Sequence, residues 1–417
     1  MKKTTIARFC IMMFFQFFIW GAWYTSIAIY MGNEGMGNLT HWPYTVNPIS
    51  AIIAPFIVGL IADRYFATEK VLGILHIIGA VFMFSAPFAS DYPLLFILLI
   101  FGHCLCYMPT LSLSNSITFH HINDQQSEFP VIRVFGTMGW IIAGLVVSFG
   151  LGIFVSNGLK PEQTSLPIFL SALFSLLLGV YAFTLPHTPP KGSNTPVSLK
   201  SIFGIDAFKQ LGSRSFYIFL MCSLLISIPL AAYFNFTQVF LNDTGFTNLA
   251  AVQTIGQFSE IIFMLLMPFF FIRLGVKWML GVGMFAWVVR YALFAAGATD
   301  QVTWIILSGI ALHGICYDFF YVTGHIYVDM KSNDKIRGQA QGLLVLLTYG
   351  IGMLIGAQLA GISYNNLLGD TTSMTLSNWE SFWILPAVLA AVVLTIFIIF
   401  FKERVVDKST STADINI

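Results

Sequence analysis

The sequence predicts an all-α integral membrane protein whose twelve transmembrane helices form two six-helix halves. Three observations carry that expectation. Of the 417 residues, 57% are hydrophobic and 9% are charged, whereas about 25% are charged in an ordinary soluble domain; mean hydropathy is +0.80. Twelve apolar runs each approach the roughly 20 residues that cross a bilayer. A polar stretch rich in Pro, Gly, Ser and Lys falls after the sixth run, dividing the twelve evenly.

The first run, 6–31, has Lys2 and Lys3 before it and Arg8 at its start, which resemble the basic flank of a signal peptide. Its apolar part is too long for a signal core and carries Gln16, Trp20 and Trp23, so a retained helix is expected. Runs at 44–63, 69–89 and 92–118 come next. The fifth, 130–155, opens on Pro130, which suits a first helical turn. The sixth, 165–186, completes the N-terminal half, residues 1–186, and residues 187–214 form the linker. The second half, 215–402, contains runs at 215–241, 250–273, 276–298, 301–329, 338–363 and 379–402, and residues 403–417 form a tail. Gly, Ser and Pro recur within the runs, as in membrane helices that pack closely.

Seventeen of the 20 Lys and Arg residues lie at the two ends of the chain or in the connections at 64–70, 187–214, 273–277 and 331–337. Lys160 is the one basic residue in the alternate set of connections. Positive charge concentrates on the cytoplasmic side, so both termini are expected in the cytoplasm. The net charge of +1 gives no reason to expect a nucleic-acid partner. The five cysteines fall within the apolar runs, where buried packing without disulfides is expected. No catalytic triad order, zinc-ligand spacing or phosphate-binding loop occurs, so an enzyme, a cofactor, a metal site or a self-contained ATP-driven pump is not expected.

Almost all acidic residues belong to connections or helix ends, and Glu260 and Asp318 are the exceptions. A charge at the centre of a membrane helix costs about 2.5–3.5 kcal/mol on the insertion scale, so such residues usually face a cavity. A carboxylate whose surroundings change with conformation can take up and release a proton, as a proton-coupled carrier requires. The alternative is a helix-bridging ion pair with Arg133 or Arg290, the two arginines within apolar runs; Arg290 is expected to snorkel outward.

Gln257 and Glu260 share a helix face, with Gln253 one turn earlier. Arg133, Thr137 and Trp140 share another, and His313 and Tyr317 a third, beside Asp318. Together they offer amide, carboxylate, guanidinium, hydroxyl and aromatic groups to one cavity, a set suited to sugar hydroxyls and a stacked ring. A receptor or scaffold would have no use for two acids at mid-membrane.

The two-half plan is that of the major facilitator superfamily, where substrate binds near mid-membrane between the halves. GLIADRYFATEK, 59–70, resembles its signature loop, which assigns Gly59, Asp63 and Arg64 to conformational exchange, and DKIRGQAQG, 334–342, occupies the corresponding position in the second half. In place of the glycine and basic pair usual after the arginine stand Phe66, Ala67 and Thr68.

FFQFFIWGAWYTSIAIYM (14–31), YMPTLSLSNSI (107–117), FPVIRVFGTMGW (129–140), TLPHTP (184–189), FAWVVRYALFAAG (285–297) and CYDFF (316–320) resemble, in register along nearly the whole chain, the nucleoside:proton symporter family of that superfamily. The resemblance implies proton-driven nucleoside uptake across the inner membrane. It implies a site made of Arg133, Thr137, Trp140, Gln257, Glu260, Tyr317 and Asp318, with Asp318 and Glu260 coupling to the proton. His313 stands where the family has Tyr. On the seventh helix the family offers Gln and Asn, whereas this chain has apolar residues there and Asn235 or Gln238 nearby. A monomer in contact with membrane lipid is expected, and another glycoside-like solute, a sugar or modified nucleoside, is the alternative cargo.

Overall fold

The computed structural model describes residues 3–57, 65–123, 125–155, 158–190, 204–333, 336–369, 371 and 373–402. Gly59, Asp63 and Arg64, with residues 191–203 of the expected linker and the tail from 403, lie outside them. Every regular element among the described residues is helical. The first half contains α1 (Lys3–Trp23), α2 (Trp42–Ile57), α3 (Thr68–Ser85), α4 (Pro93–His121), α5 (Gln125–Leu145) and α6 (Leu166–Ala182). The second contains α7 (Arg214–Asp243), α8 (249–274), α9 (276–298), α10 (Thr303–Lys331), α11 (Arg337–Leu368) and α12 (Leu376–Phe400).

Helices α8 and α9 run on without a loop and are separated by Gly275, whose φ of 64° and ψ of 175° break the helical path. Such a conformation is open essentially only to glycine. The apolar pattern places this break between 273 and 276, and the single residue that can make the turn stands there.

Pro130 corrects one expectation. Helix α5 already begins at Gln125, so Pro130 lies inside the helix and not in its first turn. A proline in the second turn removes one intrahelical hydrogen bond, the one a backbone N–H there would make to the carbonyl four residues back.

The pattern of packing repeats with an offset of six helices. Within the first half α1 packs on α5 and α6, and α3 on α4 and α6; within the second, α7 packs on α11 and α12, and α9 on α10 and α12. Contacts of α2 with α11 and of α5 with α8 join the halves, and each is the other's counterpart under the same offset. A bundle in lipid gains little from apolar burial between helices, so close approach and internal hydrogen bonds must specify it. A Cβ on Gly139 would collide with the Phe14 carbonyl of α1, and one on Gly314 would lie 2.5 Å from the Ser259 carbonyl oxygen of α8. Gln16 bonds Thr110 of α4 at 2.7 Å and His76 of α3 at 3.1 Å, while His76 meets Ser175 of α6. Those bonds hold four helices of the first half in register. On the outside, Leu265 and Ile272 of α8 are 78% and 84% exposed, as lipid-facing residues would be.

Candidate functional site

Two departures from α-helical geometry shape the space between the halves. Helix α10 passes through a π turn at Asp318–Val322, and α11 through another at Leu346–Gly352. A π turn inserts a residue and re-aims the side chains around it, which is why such turns recur at functional sites. Asp318 opens the first and Tyr349 lies in the second.

Asp318 is fully buried, and neither carboxylate oxygen has a hydrogen-bond partner among the described residues. The expected alternative, an ion pair between Asp318 and an arginine, is therefore not the arrangement present. Glu260 of α8 is close enough for the two carboxylates to act on each other electrostatically, and Arg133 acts on Glu260 in the opposite sense. The charged groups singled out on α5, α8 and α10 thus converge.

Arg133 is partly exposed, and its guanidinium lies 4.1 Å from the Phe17 ring centre. Its Nη1 passes so near Gly136 that a Cβ there would come within 2.6 Å. The cation is thus carried along its own helix towards Thr137 and Trp140, both half-buried on the same face. Trp140 and Trp20 meet edge to face at 5.6 Å, and Trp20 meets Tyr107 at 5.8 Å, making an aromatic wall on the first half.

Tyr317 and Tyr349 share a hydrogen bond of 2.5 Å between their hydroxyls, joining α10 to α11. Sequence reasoning singled out Tyr317 but missed Tyr349, whose signal was a Thr-Tyr pair in the apolar run LLVLLTYGIG. Trp140, Gln257 and Gln253 line a small pocket between the halves with Thr25, Tyr233 and Phe234. Gln253 accepts at 2.9 Å from Gln238 of α7, while the side-chain oxygens of Gln238 and Gln257 have no partner among the described residues.

Asn235 is buried with both amide atoms unpaired among the described residues. It lies on the stripe of Ile228 and Ala231, against which Gly356 of α11 packs, and Gln238 lies nearer the face that carries Phe234 into the pocket. His313 is buried with its ring stacked on Tyr233 at 5.3 Å. Arg290 corrects the expectation of snorkelling: it is fully buried, its guanidinium 3.3 Å from the Tyr233 ring centre and bonded to His313.

The hydrogen bonds described between the halves cluster at the end that bears Lys160. Lys160 donates to Asn242 and to the Phe246 carbonyl, both at 2.7 Å; Glu162 accepts from the Ala250 N–H at 3.0 Å; Gln358 donates to Thr45 at 2.6 Å. The structure is closed there.

Residues 2–405 match the family model described as Nucleoside H+ symporter. The chain is 40% identical to the transporter YegT of Escherichia coli (strain K12), over 96% of this chain and 94% of that protein. It is 31% identical to the xanthosine permease of the same organism, over 95% of each. Among solved structures, that of the nucleoside transporter NupG superposes with a TM-score of 0.81 at 27% identity, covering 97% of this chain and all of that one.

Proposed function

Since the chain belongs to the nucleoside H+ symporter family, we propose that it imports nucleosides together with protons by alternating access, through the space between its two halves. One observation carries the mechanism: Asp318 is fully buried in the π turn of α10 with neither oxygen paired, beside Glu260. A carboxylate held without partners in a membrane interior is costly as an anion and undemanding as an acid. It therefore exchanges a proton when the halves rearrange around it, and Glu260, under the charge of Arg133, is the second group able to do so.

The cargo is held by the surrounding set. Arg133, Thr137 and Glu260 face the ribose hydroxyls, since a carboxylate accepts and a guanidinium donates to hydroxyl groups. Trp140 supplies a stacking face, and Gln257, His313 and Tyr317 read the remaining edges. Asn235 serves as the amide of the seventh helix. Gly59, Asp63 and Arg64 act in the loop that closes the opposite end. Both termini are cytoplasmic in the inner membrane, so closure at the Lys160 end corresponds to a site facing the cytoplasm. A single chain supplies every group of the site, and a monomer in lipid is the working unit.

Uptake into proteoliposomes tests the proposal. Labelled uridine or adenosine should accumulate only under an inward proton gradient, and excess nucleoside should compete while glucose does not. Asp318→Asn should lose accumulation and keep gradient-independent exchange. Full accumulation by that variant would transfer the coupling role to Glu260, and competition by hexoses alone would overturn the cargo.

A further inference from the structure

The Nδ1 of His313 lies 3.1 Å from Nη1 of Arg290 on α9. A guanidinium has five N–H donors and no acceptor, and it keeps its charge in proteins. The imidazole Nδ1 must therefore accept, and a neutral imidazole that accepts at Nδ1 carries its proton at Nε2. No described residue partners that Nε2. The two ring nitrogens point to roughly opposite sides, so a ring whose Nδ1 is turned to α9 turns its Nε2–H away from it. On His313's other sides stand Gly256 of α8, where a Cβ would come within 3.0 Å of the His313 Cβ, and Phe234 of α7, ring to ring at 6.4 Å. Phe234 and Gln257 line the pocket between the halves.

Besides His313, the Arg290 side chain reaches those of Tyr233 and Cys316. Among the described residues its Nε and Nη2 have no partner in hydrogen-bond geometry, and no carboxylate accepts from it. The cation is held by ring faces, Tyr233 at 3.3 Å and Trp287 at 5.2 Å. The imidazole is thus the acceptor for its Nη1, and Tyr233, stacked on both groups, fixes the ring plane.

We propose that Arg290 is a positioning residue that locks His313 as the Nε2–H tautomer, and that this fixed donor selects nucleosides whose base presents a carbonyl oxygen over those presenting an amino group. The inference rests on the nucleoside reading and deepens it. A tyrosine hydroxyl, which the resemblance implies at this position, rotates and can donate or accept. The locked imidazole only donates, so an amino group facing it leaves two donors opposed and unpaired.

Binding compared between uridine and cytidine, and between inosine and adenosine, tests the selectivity. The carbonyl member of each pair should bind about tenfold more tightly, the scale of one hydrogen bond gained or forfeited. His313→Tyr should bring both ratios towards one. Arg290→Met, which removes the donor without leaving a charge, should reduce them also, and Arg290→Lys, which retains a donor, should restore much of the preference. Ratios near one in the unaltered protein, or ratios unchanged by Arg290→Met, would overturn the selectivity. Nitrogen spectra of protein labelled at histidine, with the His313 signals assigned by their loss in His313→Tyr, read the lock directly. They should show a protonated Nε2 and a bare Nδ1, and mixed tautomers in Arg290→Met. A proton at Nδ1 would overturn the lock. Failure of every nucleoside to bind would instead overturn the cargo and the selectivity with it, leaving the spectra to judge the tautomer.

Discussion

Asn235 poses the sharpest question among the single residues. An amide buried with both of its atoms unpaired costs about 1–3 kcal/mol, and Asn235 in the last third of α7 is 1% exposed with neither atom bonded among the described residues. A purely structural position would be better filled by Leu, as at Leu230 one helical turn or so before it. Asn235→Ala should therefore lower nucleoside affinity by about 0.5–1.5 kcal/mol, because a ligand contact is lost, while the stability of the ligand-free protein should not fall. Thermal unfolding measured across a nucleoside titration separates the two terms. Unchanged affinity would assign the recognising amide to Gln238, whose oxygen is also free and whose amide nitrogen already joins α7 to α8 through Gln253.

At the scale of elements, the turn between α8 and α9 can be tested by one methyl group. Gly275 holds φ 64° and ψ 175° with nothing crowding the position, so Gly275→Ala should cost about 1–3 kcal/mol from backbone strain alone. A lowered unfolding midpoint in detergent is the expected result, and an unchanged one would mean that the connection relaxes freely. This turn was legible in the sequence because hydropathy marks where a helix must leave the membrane and glycine marks where the chain can reverse. The faces of α5, α8 and α10 were legible for a related reason: polar residues at three- and four-residue spacing in an apolar run can only share a side. Two features were not. The π turns at Asp318–Val322 and Leu346–Gly352 leave composition unchanged while rotating the next turns of their helices, so Tyr349 gave no sign that it would meet Tyr317. Arg290 was misread because its depth along α9 says nothing about direction. Tyr233 on another helix turns it inward, and only packing reveals that.

For the whole molecule, alternating access requires that the closed end be breakable, and the bonds at that end state what must break. Lys160 is the one basic residue of its set of connections, and it sits in a preformed turn in which its own N–H donates to the Gln163 side chain at 2.8 Å. Its ammonium reaches the end of α7 at Asn242 and the next connection at Phe246. Burial pushes its pKa below that of a free lysine, against the attraction of Glu162 and Asp243. The contact is therefore a balance of desolvation and bonding, strong enough to hold and weak enough to release. Glu162, two residues on, is fully buried and accepts from the first turn of α8 at Ala250 and from Ser148 of its own half at 2.5 Å, while Ser148 accepts from Ala251 at 3.0 Å. Lys160→Met removes two charge-assisted bonds and keeps much of the side-chain volume. Allowing for partial solvation, it should favour conformations open at this end by about 1–2 kcal/mol, roughly a five- to thirtyfold change in the ratio of states. A cysteine introduced by Thr25→Cys, in the pocket between the halves beside Ala250, would report that change as faster reaction with an impermeant thiol reagent applied from the Lys160 side. Lys160→Arg, which retains the donors, should react slowly. Equal labelling rates in all three backgrounds would mean that Lys160 takes no part in setting the equilibrium between the two faces, leaving Glu162 and its bond to α8 as the contact that decides it.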